Sequence, residues 1–368
     1  MSHFQLALLL GMTVALGPLA LDAYLPAFPA IAREFAIPHA DVGLTLSAYV
    51  ATLGMAQLVG GPLSDRYGRR NILFIGLAVF ALASLMIALA DNLSGMIAWR
   101  VVQGVGGAFC AVSVPAIVRD QVGGQEAARL FGLIGLIMFI APAAAPSLGA
   151  LMLALGDWHW IYVFLAAYAF FLAVVLQLAL FPRLKPRPRT TTPVKTLVTN
   201  YVLVLKHHTT MRFVGIQVMC FSSMMLFITH SSFIYQEWFG LSNSTFSILF
   251  AANIGVMAVL NLINRPLLRT ISSVVLLRVQ VIIQFVMLVG LVSVVLLDGP
   301  LWAVAGFIIA AVGCQGGIVP NNMANALEFF PTWGVRPRPC WGRPSSLWPV
   351  RSVPCHRPLV ARLCCLLP

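Results

Sequence analysis

The chain is a succession of long apolar runs separated by short polar connections. Ten of the runs reach about 20 residues, the length of a helix that crosses the hydrocarbon core of a membrane. We predict spanning helices near 4–30, 42–63, 71–90, 95–118, 130–154, 158–181, 211–235, 245–268, 273–296 and 300–326. The first run has no basic segment before it and continues past Asp22, which favours a retained helix over a cleaved signal peptide.

The composition excludes an ordinary soluble globule. Hydrophobic residues make up 60% of the 368 residues and charged residues only 9%, whereas soluble proteins carry about 25% charged residues. The net charge of +12 would suggest a nucleic-acid partner in a soluble protein. Here the basic residues lie in short connections, where membrane topology accounts for them. We therefore predict contact with membrane lipid and no nucleic-acid partner.

The basic residues mark one side of the predicted bundle. The even-numbered connections collect Lys and Arg, whereas the odd-numbered connections hold carboxylates and one basic residue, Arg33. Because cytoplasmic loops are enriched in Lys and Arg, the pattern predicts a multi-pass protein with a cytoplasmic N-terminus.

The stretch 61–70, Gly-Pro-Leu-Ser-Asp-Arg-Tyr-Gly-Arg-Arg, joins the second and third predicted helices. Gly61 would allow close backbone approach, and Asp65 could pair with an arginine or a helix N-terminus. The stretch resembles the signature loop of the major facilitator superfamily, G-x-L-x-D-R-x-G-R-R, at every fixed position; a loop that is merely basic is the alternative. The resemblance implies a conformational-switch loop formed by Gly61, Asp65, Arg66, Gly68, Arg69 and Arg70.

Two charged side chains lie inside predicted helices, Asp22 in the first and Arg100 in the fourth. A carboxylate in an apolar helix costs about 2.5–3.5 kcal/mol on insertion scales, so it needs an aqueous cavity or a partner. The first helix runs outward and the fourth inward, which places both residues at similar depth. We expect an ion pair that breaks when Asp22 takes a proton, which would couple protons to transport. A static structural pair or a headgroup contact is the alternative.

Three further motifs sharpen the resemblance. Residues 21–29, Leu-Asp-Ala-Tyr-Leu-Pro-Ala-Phe-Pro, resemble the first-helix signature of the bicyclomycin-resistance (Bcr/CflA) drug-efflux subfamily. Residues 100–107 match the superfamily's fourth-helix motif, which is associated with proton coupling. Residues 141–149 resemble the subfamily's form of the antiporter motif, although they depart from the commoner G-P-x-x-G-G. The candidate cavity and fifth-helix residues are Tyr24, Gln103, Gly104, Pro142, Pro146 and Gly149.

The resemblance implies an all-α membrane protein with the major facilitator fold, in which six plus six helices surround a central cleft. We predict a six-helix bundle over 1–181, a basic linker with an amphipathic helix over 182–210, and an incomplete four-helix bundle over 211–330. The remaining tail, 331–368, is rich in Pro, Arg and Cys.

The tail contains eight Pro and six Arg but no Asp, Glu or Lys, and prolines recurring so often exclude a spanning helix. Back-translated from Thr332 and read one base earlier, it permits His-Leu-Gly-Gly-Thr-Ala-Ser-Ala-Leu-Leu-Gly, which would suit the start of an eleventh helix. We interpret the tail as the product of a single-base deletion near codon 331, so that helices 11 and 12 are missing. A genuine Pro/Arg-rich tail is the alternative.

The resemblance implies a proton-coupled multidrug exporter (drug:H+ antiporter) of the bacterial inner membrane. It would act as a monomer on small hydrophobic or amphipathic drug-like substrates, with the proton gradient as energy source and no cofactor. A metabolite exporter, a membrane sensor or a non-functional frameshift product are the alternatives. The predicted helices hold no nucleophile–base pair and no metal-ligand spacing, so we expect neither an enzyme nor a metal site.

Overall fold

The computed structural model describes residues 3–122, 124–184, 199 and 202–327, and over these residues the chain is helical without any strand. Within this part of the chain, ten helices are long and apolar enough to cross a membrane. The number and order of the predicted spans are therefore confirmed.

The first six helices form one half of the fold. Helix α1 (His3–Asp22) continues, after a 3-10 turn at Leu25–Ala27, as a second helical piece, Phe28–Glu34. Helices α2 to α6 follow as His39–Tyr67, Arg69–Ala88, Leu93–Gln121, Gly124–Leu155 and His159–Val175, and α6 ends in a π-helical turn at Leu176–Leu180 and a 3-10 turn at Phe181–Arg183. Helix α4 packs against α2 and α3, while α1 packs along α5.

Four helices of the described chain form the other half. They are α7 (His208–Ser232, followed by a π-helical turn at Phe233–Trp238), α8 (Asn243–Leu267), α9 (Ser273–Leu296) and α10, which is interrupted at Cys314 and so consists of Leu301–Gly313 and Gln315–Leu327. Apart from apolar packing, the half is held by side-chain amides on α10. Asn321 and Asn264 exchange hydrogen bonds of 2.9 and 3.0 Å, and Gln280 accepts from Asn321 at 3.1 Å. Buried amides that bond one another in this way join helices where lipid offers no hydrogen bonds.

The connection between α2 and α3 is shorter than the sequence predicts. The apolar runs indicate an end near 63 and a new start near 71, but α2 continues to Tyr67 and α3 begins at Arg69. Only Gly68 lies between the helices, with φ 95° and ψ 141°, and its N–H donates to the Ser64 carbonyl at 3.1 Å. The helices extend past the apolar core because charged side chains are tolerated once the backbone reaches the polar headgroup region.

Two predicted segments lie mainly or wholly outside the described residues. Of the predicted amphipathic helix in the linker, residues 199 and 202–206 are described and helical. The tail 331–368 is not described, so the frameshift interpretation stays a prediction.

The single-residue connection gives a stability prediction. Replacing Gly68 with Ala places a Cβ at a positive φ, so we expect a loss of about 1–3 kcal/mol in the free energy of unfolding and a lower melting temperature in detergent. The matched control is Gly61→Ala, because Gly61 lies inside α2 with no neighbouring atom within 4 Å of an added Cβ. That control should be neutral or stabilising by up to about 1 kcal/mol. Equal melting temperatures for the two variants would show that Gly68 carries no conformational requirement.

Candidate functional site

Helix α1 breaks next to its acidic residue. The last α-helical bond of the first piece runs from the Ala23 N–H to the Leu19 carbonyl at 3.1 Å, and the next bond, from the Ala27 N–H to the Tyr24 carbonyl, belongs to a tighter turn. Pro26 explains the break, because proline has no N–H and disfavours the α conformation of the residue before it. Carbonyl groups in the last turn of the first piece are thus left for donors from other helices.

Arg100 supplies such a donor. It lies in α4 with no solvent exposure, and its Nη1 donates to the Ala20 carbonyl at 2.9 Å and to Gln103 Oε1 at 2.8 Å. The Gln103 amide in turn donates to the Ser84 hydroxyl on α3 at 2.8 Å. One side chain therefore joins α4 to the break in α1 and, through its neighbour, to α3.

Three tyrosine rings surround the Arg100 guanidinium, an arrangement that we call the tyrosine cage. Its Cζ lies 3.9 Å from the ring centroid of Tyr24, 5.1 Å from that of Tyr162 and 5.5 Å from that of Tyr49. A cation over aromatic faces gains about 2 kcal/mol when it is desolvated. The rings come from α1, α6 and α2, and the Tyr24 hydroxyl shares a hydrogen bond of 3.0 Å with Thr45 on α2. The cage thus replaces part of the hydration that the buried charge has lost.

The ion pair between Asp22 and Arg100 that the sequence predicts is not formed in this structure. The ion pairs of the described residues lie elsewhere, and Asp22 Oδ1 is buried without a hydrogen-bond partner among them. The two residues are close in depth, since Arg100 contacts Ala20 and Tyr24. At about 100° per residue, however, Asp22 is displaced by about 200° from Ala20 around α1. The predicted ion pair followed from the similar depth of Asp22 and Arg100 in the membrane, but it did not take into account the face of α1 on which Asp22 lies.

Small residues of the fourth- and fifth-helix motifs let neighbouring backbones approach closely. A Cβ on Gly104 would lie 2.8 Å from the Tyr49 carbonyl oxygen of α2, and one on Gly149 would collide with the Ala23 carbonyl oxygen at the break in α1. Such close packing is typical of helices that associate within membranes. The two glycines therefore position the helices that carry the cage and Asp22.

The prolines of the fifth-helix motif, Pro142 and Pro146, lie inside α5. The helix continues through both of them from Gly124 to Leu155. Each proline removes one helical hydrogen bond, so this part of α5 is less tightly bonded than the rest.

The signature stretch ties three helices together. Asp65 on α2 forms an ion pair with Arg69 on α3, and Arg69 Nε lies 3.2 Å from Asp120 Oδ2 near the end of α4. Arg70 donates from Nη2 to the Gln177 side chain of α6 at 2.9 Å. Asp65, Arg69 and Arg70 thus connect elements within the first half.

Gly61 and Arg66 behave differently from the rest of the signature stretch. Within the described residues no atom comes within 4 Å of a Cβ built on Gly61, so the close approach expected there is not made in this structure. Arg66 is exposed, and its Cζ lies 5.6 Å from the ring centroid of Tyr67.

Arg100 and Tyr24 are among the site residues predicted above, whereas Tyr49 and Tyr162 are not. No local signal marks either residue, because the cage is assembled from side chains on four separate helices. Among the residues that the structure describes, no three His, Cys, Asp or Glu side chains are grouped as a metal site would require.

The comparisons with known proteins agree with this architecture. The family model of the Major Facilitator Superfamily matches residues 9–334. YdgK of Bacillus subtilis, described as an uncharacterized MFS-type transporter, is 32% identical over 89% of this chain and 82% of its own length. The bicyclomycin resistance protein homolog of Haemophilus influenzae is 27% identical over 90% of this chain and 83% of its own. The resemblance found in the sequence motifs is confirmed.

A solved structure gives the same fold. The xylose transporter XylE of Escherichia coli, in a partially occluded inward-open conformation, aligns with a TM-score of 0.70 over 89% of this chain and 87% of its own. The two sequences are 11% identical, so the match concerns the fold alone.

The tyrosine cage gives a second stability prediction. Arg100→Ala leaves a cavity and two acceptors without a donor, and we expect it to lower the free energy of unfolding by about 2–5 kcal/mol. Arg100→Lys keeps the charge but loses the planar fork of donors, so its melting temperature in detergent should fall between those of Arg100→Ala and the parent. The control is Arg119→Lys, an exposed arginine of the same helix, which should melt as the parent does. A parent-like melting temperature for Arg100→Ala would contradict a role in holding the break of α1.

Proposed function

The chain belongs to the Major Facilitator Superfamily, and we propose that it is a proton-coupled exporter of small hydrophobic or amphipathic drug-like molecules. Proteins of this family and fold are carriers, not enzymes. The drug-like substrate is supported by the resistance protein among its relatives. The proton gradient would supply the energy, with no cofactor and with a single copy of the chain as the working unit.

The proposal of proton coupling rests on the buried carboxyl group of Asp22. It lies inside a spanning helix, is 5% exposed, and its Oδ1 has no hydrogen-bond partner among the described residues. An unpaired charge in such a place is unfavourable by several kcal/mol, whereas a protonated carboxyl group is tolerated far better. Asp22 is also the last residue before the break in α1. Gain or loss of a proton by Asp22 would therefore change the charge next to the break, where few backbone hydrogen bonds hold α1.

In this proposal Arg100 is a positioning residue for the coupling site. Its cation is stabilised by the tyrosine cage and by the Ala20 carbonyl, so it does not need Asp22 as a counterion. It keeps the end of α1 against α4 while Asp22, on another face of α1, exchanges its proton. Among the described residues of the second half, the deeply buried polar side chains are amides such as Gln284 and Asn321 and hydroxyls such as Ser231, which keep the same charge at physiological pH. We therefore place the coupling in the first half.

We further propose that the end of the bundle that holds Arg66, Arg69 and Arg70, the signature-loop end, faces the cytoplasm of a bacterial cell. Arg119, Arg183, Arg212 and Arg265 lie at helix ends on the same side of the predicted topology. The opposite end carries Glu34, Asp41, Asp91, Asp157, Glu237 and Asp298. This charge distribution is the one that the positive-inside rule gives for an inner-membrane protein.

The test of function is drug susceptibility in an efflux-deficient bacterial host. The chain is expressed as given and with one base restored near codon 331, and resistance is measured against a panel that starts with bicyclomycin. We expect resistance from the restored frame and none from the chain as given, because the second bundle would lack two of its six helices. A restored frame that protects against no drug would contradict drug export and favour a metabolite substrate. Full resistance from the chain as given would contradict the frameshift interpretation.

The coupling residue is tested by Asp22→Asn, which keeps the size of the side chain and removes its titration. We expect the variant to lose drug accumulation driven by a proton gradient in inverted vesicles, while the purified protein still binds the drug. The control is Asp91→Asn in the exposed turn between α3 and α4, which should transport as the parent does. Gradient-driven accumulation by Asp22→Asn at the parent's rate would refute the coupling role.

A further inference from the structure

A crevice separates α1 from the last turns of α6, at the same end of the bundle as the signature stretch. Deeper in the membrane the two helices are joined, because the Tyr168 hydroxyl of α6 donates to the Met12 carbonyl of α1 at 2.9 Å. Toward the helix ends they leave between them a crevice of about 440 Å³. Its volume is within the range of sites that bind small molecules. The residues that line it are Gln5, Leu8, Leu9, Ala179 and Arg183.

The end of α6 that forms one wall is not regular α-helix. Its π-helical turn is followed directly by a 3-10 turn that contains Pro182. Leu176 and Leu180 of the π-helical turn are buried and anchor it, whereas the small side chain of Ala179 lies at the crevice. Such turns at the end of or inside α-helices occur frequently at functional sites.

One charged side chain lies at the crevice. Arg183 is exposed, and its Nη1 donates to the Ala179 carbonyl, one turn earlier in α6, at 2.7 Å. This bond holds the guanidinium beside the crevice and uses only one of its N–H groups. Among the described residues Arg183 forms no ion pair. Donors of the guanidinium therefore remain for an anion.

The charges of the neighbouring elements also favour an anion. The first piece of α1 has one carboxylate, Asp22 at its far end, and α6 has none from His159 to Arg183. At the signature-loop end, Asp65 and Asp120 are paired with Arg69, and Glu126 lies in the first turn of α5 beside the exposed Arg129. In the sequence Arg183 is followed by Lys185, Arg187 and Arg189, with no carboxylate between them.

The remaining wall of the crevice is apolar and continues onto the exposed surface. Leu8 of α1 is 42% exposed, and Leu178, next to Ala179 in α6, is 70% exposed. In a spanning bundle such side chains face acyl chains, while the helix ends lie at the level of the headgroups. A guanidinium at the helix end above an apolar wall suits a molecule with a phosphate and an acyl chain. Basic pockets between spanning helices are known to bind headgroups of anionic lipids.

We propose that the crevice between α1 and α6 is a binding site for one anionic phospholipid. The phosphate lies on Arg183, and the first part of an acyl chain lies against Leu8 and Leu9. A free phosphate compound would use the same guanidinium but would leave the leucines uncovered, so the two sources can be distinguished. The proposal does not depend on which molecule the protein transports or on which side of the membrane this end faces.

The test is photo-cross-linking of the purified full chain in detergent. The probe is dioleoyl phosphatidylglycerol with a diazirine in one acyl chain, and the comparison is dioleoyl phosphatidylcholine with the same diazirine. After irradiation and digestion, mass spectrometry measures the labelled fraction of the peptides that contain residues 5–9 and 176–183. The dependence of that fraction on lipid concentration gives the Kd. Glycerol 3-phosphate, a headgroup without acyl chains, is added as a competitor.

We expect phosphatidylglycerol to label both segments more strongly than phosphatidylcholine. Arg183→Gln should raise the Kd for phosphatidylglycerol by about fivefold, the effect of one basic residue near an anionic lipid. Ala179→Phe should lower labelling by both lipids, because the ring fills the crevice and keeps the charge. The control is Arg265→Gln, which removes an exposed arginine in the last turn of α8 and should label as the parent does. Glycerol 3-phosphate should not displace the lipid.

Three results would overturn the site. Equal labelling of the parent by the two lipids, or a parent-like Kd for Arg183→Gln, would mean that Arg183 does not select an anion. Labelling that misses both segments would mean that lipid does not occupy the crevice. Displacement by glycerol 3-phosphate at the concentration of the lipid would mean that the site serves a free phosphate compound. Because Arg183 is exposed, Arg183→Gln gives a readable result even if Ala179→Phe folds poorly.

Discussion

The first half is built around a charge that water cannot reach. A guanidinium inside a membrane-spanning helix is stable only if other groups replace its hydration. For Arg100 these groups are the Ala20 carbonyl, the Gln103 amide and three tyrosine rings. They belong to four helices, so a single charge determines where α1, α2 and α6 lie around α4. The Ala20 carbonyl is available because Pro26 ends the helical bonding of α1. Pro26 in α1 thus leaves a carbonyl group without a helical donor, and Arg100 in α4 needs an acceptor for its buried guanidinium. The hydrogen bond between Arg100 and Ala20 meets both needs.

In the described part of the second half, uncharged amides take the role that Arg100 has in the first. Gln315, at the interruption of α10, donates to the Cys220 carbonyl of α7 at 2.5 Å, just as Arg100 of α4 donates to a carbonyl of α1. Gly316 allows a close approach like that at Gly104, because a Cβ built on it would collide with the Met257 carbonyl of α8. Amides hold the helices but do not titrate. Among the described residues of the second half no acidic or basic side chain is buried, so Asp22 and Arg100 have no charged counterpart there.

The helices and the signature stretch could be predicted because their causes are local. Apolar runs of spanning length define α1 to α10, and the spacing around Asp65 identifies the family without any knowledge of packing. The tyrosine cage could not be predicted, since Tyr49 and Tyr162 are far apart in sequence and neither carries a local signal. The pairing of Asp22 with Arg100 failed for another reason. The two residues lie at similar depth, but Asp22 is two residues from Ala20 in α1 and so lies on another face of the helix from the one that Arg100 contacts.

Interactions within a half are stronger than those between halves. Asp65, Arg69 and Asp120 form a chain of charges through α2, α3 and α4, and buried amides join α8, α9 and α10. Across the two halves, the polar contacts of the described residues are longer: 3.5 Å for Gln236 to Pro26 and 3.9 Å for His39 to Glu237. Helices α5 and α8 also meet, largely through apolar surface, which can slide without breaking directed bonds. A carrier that rocks between two states needs each half to move as a unit and the states to differ by only a few kcal/mol. Weak, long polar contacts between the two halves provide that balance.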